Sequence, residues 1–477
     1  MKVMRVCPAP PYLPQFRKLH KLKQKSFDDQ ANILQKQNVL LPGGWAAAME
    51  SHGFEVFETL YNDFALQAQW AEENHLTDIV LKSNFELELL KAQVRKFNPD
   101  VLFIYAGAFF WLTKRARDEL RDAAAGQLTI AGLWGDELTS RCSYQEYFGG
   151  LDFIFCTSNF YQTKLDQAGI PSYLLGNCFD DSIKFRSDLP KVHEFTFSGV
   201  TGYGYPDHIR RFDQLVEIMS RSPLKIWTKE PGKPVSGNRQ LKSVLLKALA
   251  SVPPNLLFQT LGRTGPRGRR AVDLAKLMRD AGTSAESLLS ENRHPNEDYF
   301  NSLSPIRSQF GLRVSPPLTN TSDYYELLAQ SKLVLNLHRD EQADVGNIRC
   351  YEATGVGSCL LTDRGEDLKT FFDVENDIVS FNSVDELIDK VGYLLEHEKE
   401  IERIAKNGQK TTLSRHTVGH RCEFIADTIR SRVTANASPY RRGSISGQMD
   451  LQDRLAASTA SVESESKPAK SSERFRH

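Results

Sequence analysis

The chain has 477 residues, of which 40% are hydrophobic and 25% are charged, so it is a globular chain too long for one ordinary core. Its 60 Lys and Arg residues balance 60 Asp and Glu residues, which excludes a global attraction to nucleic acid or to an anionic membrane. Any such attraction must be local. Seven scattered cysteines without a Cys-x-x-Cys pair favour a reducing compartment over a disulfide framework or structural zinc.

The N-terminal residues predict neither a signal peptide nor a membrane span. Prolines at positions 8, 10, 11 and 14 interrupt any apolar segment near the start. The most apolar run, residues 101–112, is well short of the roughly 20 residues that cross a bilayer. We therefore expect a cytoplasmic protein, with at most peripheral contact at the inner face of the membrane.

The first part of the chain alternates strand and helix patterns. Apolar runs predict strands at 3–7, 54–60, 100–106, 128–134, 151–156 and 172–175. Helical patterns lie before His52-Gly53 and at 85–97, 115–125 and 160–168, and a basic stretch occupies residues 17–25. Repeated β-α units of this kind predict a parallel sheet covered by helices on both faces.

The second part restarts the same alternation after a polar break. Strands are predicted at 195–200, 224–228, 333–338 and 358–362. Helices are predicted at 208–220, 322–331, 347–354, 384–396, 399–410 and 418–432. We interpret residues 230–305 as a partly helical insertion and residues 433–477, rich in Ser and mixed charge, as a disordered tail. The fold class is thus α/β, with two Rossmann-like domains at 1–180 and 190–425.

The segment 343–362, ADVGNIRCYEATGVGSCLLT, has the pattern of a phosphate-binding helix start. Gly346 precedes a helix whose first turn holds Asn347 and Arg349, so backbone N–H groups and a guanidinium could bind a diphosphate. The carboxylate of Glu352 lies one turn further and suits ribose hydroxyls. The alternative is an ordinary helix that carries Arg349 and Glu352 as a surface ion pair.

From residue 324 to about 424, the chain resembles the glycosyltransferase group-1-like C-terminal domain of spore-maturation glycosyltransferases and many cell-surface polysaccharide enzymes. The residues that match this domain in order and spacing are Glu352, Gly355, Gly357, Thr362 and Asp363. The resemblance implies the GT-B fold, in which two Rossmann-like domains face each other across a cleft and the C-terminal one binds a nucleotide sugar. No sequence feature demands a metal, since the chain has no Asp-x-Asp motif and a helix terminus with an Arg can take the charge of the diphosphate, and no cofactor is expected. The final helix is expected to pack back on the first domain.

The resemblance also suggests roles for acidic residues. Many relatives carry Glu-x7-Glu, where this chain has Asp344 and Glu352, so Asp344 is expected to face the sugar ring and the reaction to retain anomeric configuration. In the first domain, Asp136 or Glu137 follows a strand at the edge where ligands bind, and Asp136 could act as base or hydroxyl anchor. Either acid could instead cap the next helix.

A second resembling segment is 195–212, FTFSGVTGYGYPDHIRRF, which is similar to the first strand and loop of GT-B donor domains. It suggests that Gly199, Gly202 and Gly204 approach the pyrophosphate and that Arg210 or Arg211 neutralises the leaving group. Adjacent arginines are also common as solvated residues. At the end of a later strand, His338 and Arg339 are candidates for donor contact, although a single His is more often structural.

These residues together predict an enzyme that transfers a sugar from a nucleoside-diphosphate sugar to a hydroxyl of a glycan, surface-molecule or lipid-linked acceptor. Two alternatives stay open, a catalytically silent nucleotide-sugar-binding scaffold and a sugar-nucleotide epimerase or phosphorylase on the same fold. The Arg-rich stretch 263–270 could bind an anionic acceptor or be an exposed loop. No nucleic-acid partner is expected.

Overall fold

A computed structural model describes residues 1–10, 13–82, 84–110, 112–135, 143–202, 209–228, 303–318, 320–338, 347–363 and 368–437. These residues build two six-stranded sheets, each with all of its strands parallel. The insertion 230–305 lies almost wholly outside the described residues, and the tail 433–477 lies outside them beyond residue 437.

The central strands of the first sheet are buried on both faces, as apolar runs in a parallel sheet are, whereas its edge strand at residues 55–60 is partly exposed. Its strands are β1 (Lys2–Cys7), β2 (Glu55–Leu60), β3 (Val101–Tyr105), β4 (Thr129–Trp134), β5 (Phe153–Cys156) and β6 (Ser172–Leu174). The helices of this part are α1 (Leu13–Leu19), α2 (Phe27–Lys36), α3 (Trp45–Ser51), α4 (Phe64–Glu73), α5 (Thr77–Val80), α6 (Phe85–Phe97), α7 (Lys114–Ala123), α8 (Tyr144–Phe148) and α9 (Asn159–Gln167). The strand order is β2-β1-β3-β4-β5-β6, so the order reverses between β1 and β3.

The second sheet has the strand order β12-β11-β10-β7-β8-β9. Its strands are β7 (His193–Ser198), β8 (Lys225–Trp227), β9 (Val314–Ser315), β10 (Ser331–Asn336), β11 (Cys359–Asp363) and β12 (Val379–Phe381). The helices are α10 (Ile209–Arg221), α11 (Ile306–Phe310), α12 (Thr321–Ala329), α13 (Ile348–Gly355), α14 (Leu368–Phe371), α15 (Val384–Glu396), α16 (Glu398–Arg415) and α17 (Val418–Ala437). This is the order of a dinucleotide-binding Rossmann sheet, and the reversal between β7 and β10 is where such sheets bind ligands.

The chain crosses between the two sheets twice, and the two crossings lie side by side. Phe179 pairs with Thr417 in a parallel bridge, and its N–H donates to the carbonyl of His416 at 2.8 Å. Beyond this bridge, α17 returns to the first domain and packs against α3, where the thiol of Cys422 contacts the carbonyl of Trp45 at 3.8 Å. The expected return of the final helix is therefore confirmed.

The structure confirms the predicted α/β class with two Rossmann-like sheets. The helices predicted at 85–97 and 384–396 begin and end where expected, whereas α17 continues to Ala437, beyond the predicted end at residue 432. β10 ends at Asn336, so His338 lies just after the strand and not within it. In the described part of the chain, no helix is both long enough and apolar enough to cross a membrane.

Candidate functional site

The candidate site lies at the carboxyl ends of β7 and β10, on either side of the reversal in the second sheet. The loop after β7 contains Gly199 and Gly202, whose φ angles of 152° and 99° favour glycine. The N–H of Gly199 donates to the carbonyl of Trp227 at 3.0 Å, which holds this loop against β8. A glycine loop at this edge leaves room for a ligand to approach the backbone.

Asn336, the last residue of β10, organises the polar groups of the site. Its buried amide oxygen accepts hydrogen bonds from Arg349 Nη1 at 3.1 Å and from Asn347 Nδ2 at 2.8 Å. Its amide nitrogen donates to the hydroxyl of Thr362, on the neighbouring strand β11, at 2.9 Å. One strand-end amide therefore orients both the residue that precedes α13 and the arginine in its first turn.

Arg349 reaches from α13 to the glycine loop. Its guanidinium lies over the ring of Phe197 at 5.1 Å, and a Cβ placed on Gly199 would be 2.6 Å from its Nη2. Position 199 therefore accepts no larger residue while Arg349 holds this place. Among the described residues, the Nε of Arg349 is a buried donor without a hydrogen-bond partner.

Glu352 lies one turn further along α13 and is 8% exposed. Burial raises the pKa of its carboxyl group, while a 2.9 Å hydrogen bond from Tyr324 Oη and the charge of Arg349 act in the opposite direction. Within the described part of the chain, Arg349 and Glu352 form no ion pair with each other, so the alternative of a surface pair does not describe them. Both residues instead belong to the buried network around the site.

His338 follows β10 and forms a pair with Asp363 at the end of β11. The Asp363 carboxylate accepts the backbone N–H of His338 at 3.0 Å and contacts its Nδ1 at 2.6 Å. Burial alone disfavours the imidazolium, but the Asp363 charge and hydrogen bond outweigh it and raise the pKa of His338 to about 10. The Asp363 carboxylate therefore favours the protonated form of His338.

The two arginines that begin α10 differ in their surroundings. Arg211 donates from Nη2 to the carbonyl of Leu337 at 2.9 Å and from Nη1 to that of Val200 at 3.4 Å, so it ties the loops after β10 and β7 together. Arg210 is exposed. The structure thus brings Arg211, and not an isolated surface arginine, to the same edge as Arg349.

Several predicted site residues lie outside the described residues, namely Asp136, Glu137, Gly204, Arg339, Asp344 and Gly346. The described candidates Gly199, Gly202, Arg211, His338, Asn347, Arg349 and Glu352 meet around the ends of β7, β10 and the start of α13. Asn347 precedes α13 as its N-cap and does not form part of the first turn. In the described segments, no group of three or more His, Cys, Asp or Glu residues could hold a metal ion.

Sequence reasoning missed the partners that fix these side chains. Asn336 and Tyr324 were not predicted as site residues, although Asn336 is a polar residue at the end of the apolar run LVLN. Its position at the end of a predicted strand could therefore have marked Asn336 as a site residue. Tyr324 carried none, because its contact with Glu352 joins residues 28 positions apart on two helices.

Comparison with known protein families finds one match, in the second half of the chain. Residues 303–427 match the family described as "Glycosyl transferase-like". No curated protein matches the chain in sequence.

Solved structures give distant matches. Sucrose-phosphate synthase from Thermosynechococcus elongatus has 10% identity and a TM-score of 0.48, and the match covers 92% of this chain and 100% of that one. HepE from Anabaena in complex with UDP-glucose has 13% identity and a TM-score of 0.46, covering 90% and 100%. The lipopolysaccharide outer core galactosyltransferase WaaB has 12% identity and a TM-score of 0.46, covering 91% and 100%. The match to the family described as glycosyl transferase-like thus covers much of the second sheet's part of the chain, which has the parallel, Rossmann-like sheet that the resemblance implies.

Proposed function

We propose that this protein transfers a sugar from a nucleoside-diphosphate sugar to a hydroxyl of a glycan or lipid-linked acceptor. The observation that carries the proposal is Arg349. Its guanidinium is held by Asn336 against the Gly199 loop, at the strand-order reversal, and its buried Nε has no acceptor in the part of the chain that the structure describes. A diphosphate oxygen at this place would satisfy that donor and meet the backbone N–H groups that begin α13.

Departure of a nucleoside diphosphate develops negative charge, so fixed cations and N–H groups are the main requirement for catalysis. Arg349 and Arg211 supply two cations that both reach the loop after β7, and Arg211 also binds the carbonyl of Leu337, next to the His338–Asp363 pair. The Glu352 carboxylate, with one oxygen bound by Tyr324, retains a second oxygen to accept a ribose hydroxyl.

The sugar and acceptor roles rest on the sequence. Asp344 would face the sugar ring, and Asp136, the residue after Gly135 at the carboxyl end of β4, would anchor or deprotonate the acceptor hydroxyl. By analogy with the Glu-x7-Glu enzymes we propose retention of anomeric configuration. Diphosphate binding by Arg and helix N–H groups leaves no step for which a metal is required.

The proposal is tested by a thermal-shift panel of UDP, GDP, dTDP, CMP and ADP. At a concentration one hundred times its dissociation constant, a bound nucleotide stabilises the protein by about 2.7 kcal/mol. We expect one diphosphate to raise the melting temperature of the wild type, and Glu352→Ala and Arg349→Ala to lose this response. Glu402→Ala, at an exposed position of α16, is the matched control and should keep it.

The matching sugar nucleotide then enters a turnover assay that measures release of the free diphosphate. Release that depends on Arg349 supports the transferase. Stabilisation without any turnover, across a panel of hydroxyl acceptors, would instead indicate a nucleotide-sugar-binding scaffold. No stabilisation by any nucleotide would overturn the donor-site assignment.

A further inference from the structure

Residues 13–25, here called the basic segment, contain five Lys and Arg residues and no Asp or Glu. The chain as a whole has zero net charge, so this local excess is not part of a general positive field. The segment comprises α1 and the short helical turn Leu22–Gln24. Its role is not explained by the donor site, which belongs to the other sheet.

One side of the basic segment is fixed to the first domain. Leu13 and Leu22 are buried in the core beside α2 and α4. Arg17 donates from Nε to the Asp63 carboxylate at 3.0 Å and from Nη1 to Gln30 Oε1 at 2.6 Å. The segment is therefore an ordered surface element whose one ion-paired residue, among those described, is Arg17.

The exposed residues of the basic segment include three lysines and one leucine. Lys18, Lys21 and Lys23 are exposed, and in the described part of the chain none of them forms an ion pair. Leu19 lies among them with 76% of its surface exposed. An exposed leucine flanked in sequence by exposed lysines suits the interface of an anionic bilayer, where the apolar group enters and the ammonium groups meet headgroups.

The position of the basic segment relates it to the acceptor side of the molecule. It follows β1 directly, and the bond from Ala9 N–H to Asn62 Oδ1 at 2.7 Å holds the end of β1 beside the residues after β2. The first sheet reverses its strand order between β1 and β3, and ligands of such sheets bind at this carboxyl edge. A surface docked on the segment is thus adjacent to the expected acceptor site.

We propose that the basic segment docks the protein on an anionic lipid bilayer, with Leu19 at the interface and Lys18, Lys21 and Lys23 against the headgroups. This docking rests on the proposed function, and it places the hydroxyl acceptor at the membrane surface. The exposed acids Asp28 and Asp29 begin α2 and mark the end of the docking surface. Each lysine near an anionic surface contributes roughly fivefold to partitioning at low salt, so the three together contribute about a hundredfold.

The test is co-sedimentation of the full chain with vesicles of phosphatidylcholine containing phosphatidylglycerol, compared with vesicles of phosphatidylcholine alone. We expect binding only to the anionic vesicles, weakened by salt. A triple variant K18E/K21E/K23E should lose at least a hundredfold in binding, and Leu19→Ser severalfold. The matched control K399E/K406E/K410E reverses three exposed lysines of α16 and should bind as the wild type does.

Three outcomes would overturn the proposal. The wild type could fail to bind anionic vesicles, or the basic-segment variant could bind as well as the control. Binding that survives Leu19→Ser unchanged and is competed by a soluble polyanion would assign the segment to an anionic polymer. The nucleotide thermal shift of K18E/K21E/K23E reports separately on the donor site, so that a failed donor assignment and a failed docking surface are distinguished.

Discussion

At the scale of single residues, the site is built from buried polar groups that each have a specific partner. Asp363 accompanies His338, Tyr324 accompanies Glu352, and the Asn336 amide binds the Arg349 guanidinium. Buried charges are stable only when they are paired or hydrogen-bonded. Loss of one partner therefore leaves the other buried without a partner, which lowers the stability of the fold. The second sheet therefore has a preorganised site before any ligand arrives.

The His338–Asp363 pair predicts a particular pH dependence. Because the folded-state pKa of His338 is raised to about 10, its contribution to stability is full below the unfolded pKa of roughly 6.5 and is lost as pH rises through 10. Asp363→Asn should therefore lower the urea midpoint most near pH 6 and progressively less towards pH 10. Asp427→Asn, at a half-buried position of α17 where the carboxylate lies 3.3 Å from Arg430, is the control and should show no such trend. A constant difference at all pH values would contradict the assignment.

At the scale of elements, α13 has a second task besides presenting Arg349. Its last residue, Gly355, lies against Phe179 in the first crossing between the sheets. A Cβ added to Gly355 would be 2.4 Å from the ring of Phe179. The helix therefore approaches the crossing as closely as a glycine permits. Helix α13 and the connection between the two sheets are therefore packed as one unit.

Gly355→Ala should destabilise the protein by about 1–3 kcal/mol, because the methyl group forces Phe179 or the helix to move. Gly392→Ala is the matched control in α15, where a Cβ would have no atom within 4 Å. That substitution should stabilise by about 0.5–1 kcal/mol, since it only removes glycine's backbone freedom. Chemical denaturation of both variants measures the difference, and equal effects would refute the packing argument.

Periodic patterns predicted most elements because their burial follows the sequence locally. The strand over 101–105 and the helix over 85–97 are clear apolar and amphipathic runs. β9 has only two residues, too few for a pattern, and pairs with the edge of the sheet at β8, while β12 pairs with the opposite edge at β11. For the site, Arg349 and Glu352 were predictable from one segment, whereas Tyr324 required the packing of α12 on α13.

At the scale of the whole molecule, Arg421 joins the two crossings. It is 3% exposed, donates from Nε and Nη2 to the carbonyl of Asn177, and donates from Nη1 to that of Arg415. Its Nη2 also contacts Nδ1 of the buried His416 at 3.0 Å, so this ring acts as acceptor there. The Arg421 guanidinium therefore donates hydrogen bonds to backbone carbonyl groups of both connecting segments.

Arg421→Ala should cost at least about 3 kcal/mol, because hydrogen bonds to charged groups contribute about 1.5–3 kcal/mol each and buried carbonyls would stay unpaired. We also expect the two domains to unfold less cooperatively, which calorimetry would register as a broadened or divided transition. Lys410→Ala, exposed on α16, is the control. A single sharp transition at the wild-type temperature would show that the crossings do not depend on this residue.

The return of α17 to α3 makes the N-terminal domain discontinuous in sequence, since it includes residues from both ends of the described chain. An exchange of the second domain between related proteins therefore needs two junctions, one before β7 and one at the Thr417 bridge. A chimera joined only at the first junction would pair a foreign α17 with the native α3 and expose the mismatch at Trp45 and Cys422. Specificity in this architecture is thus transferable as an internal cassette, 193–417, and not as a C-terminal half.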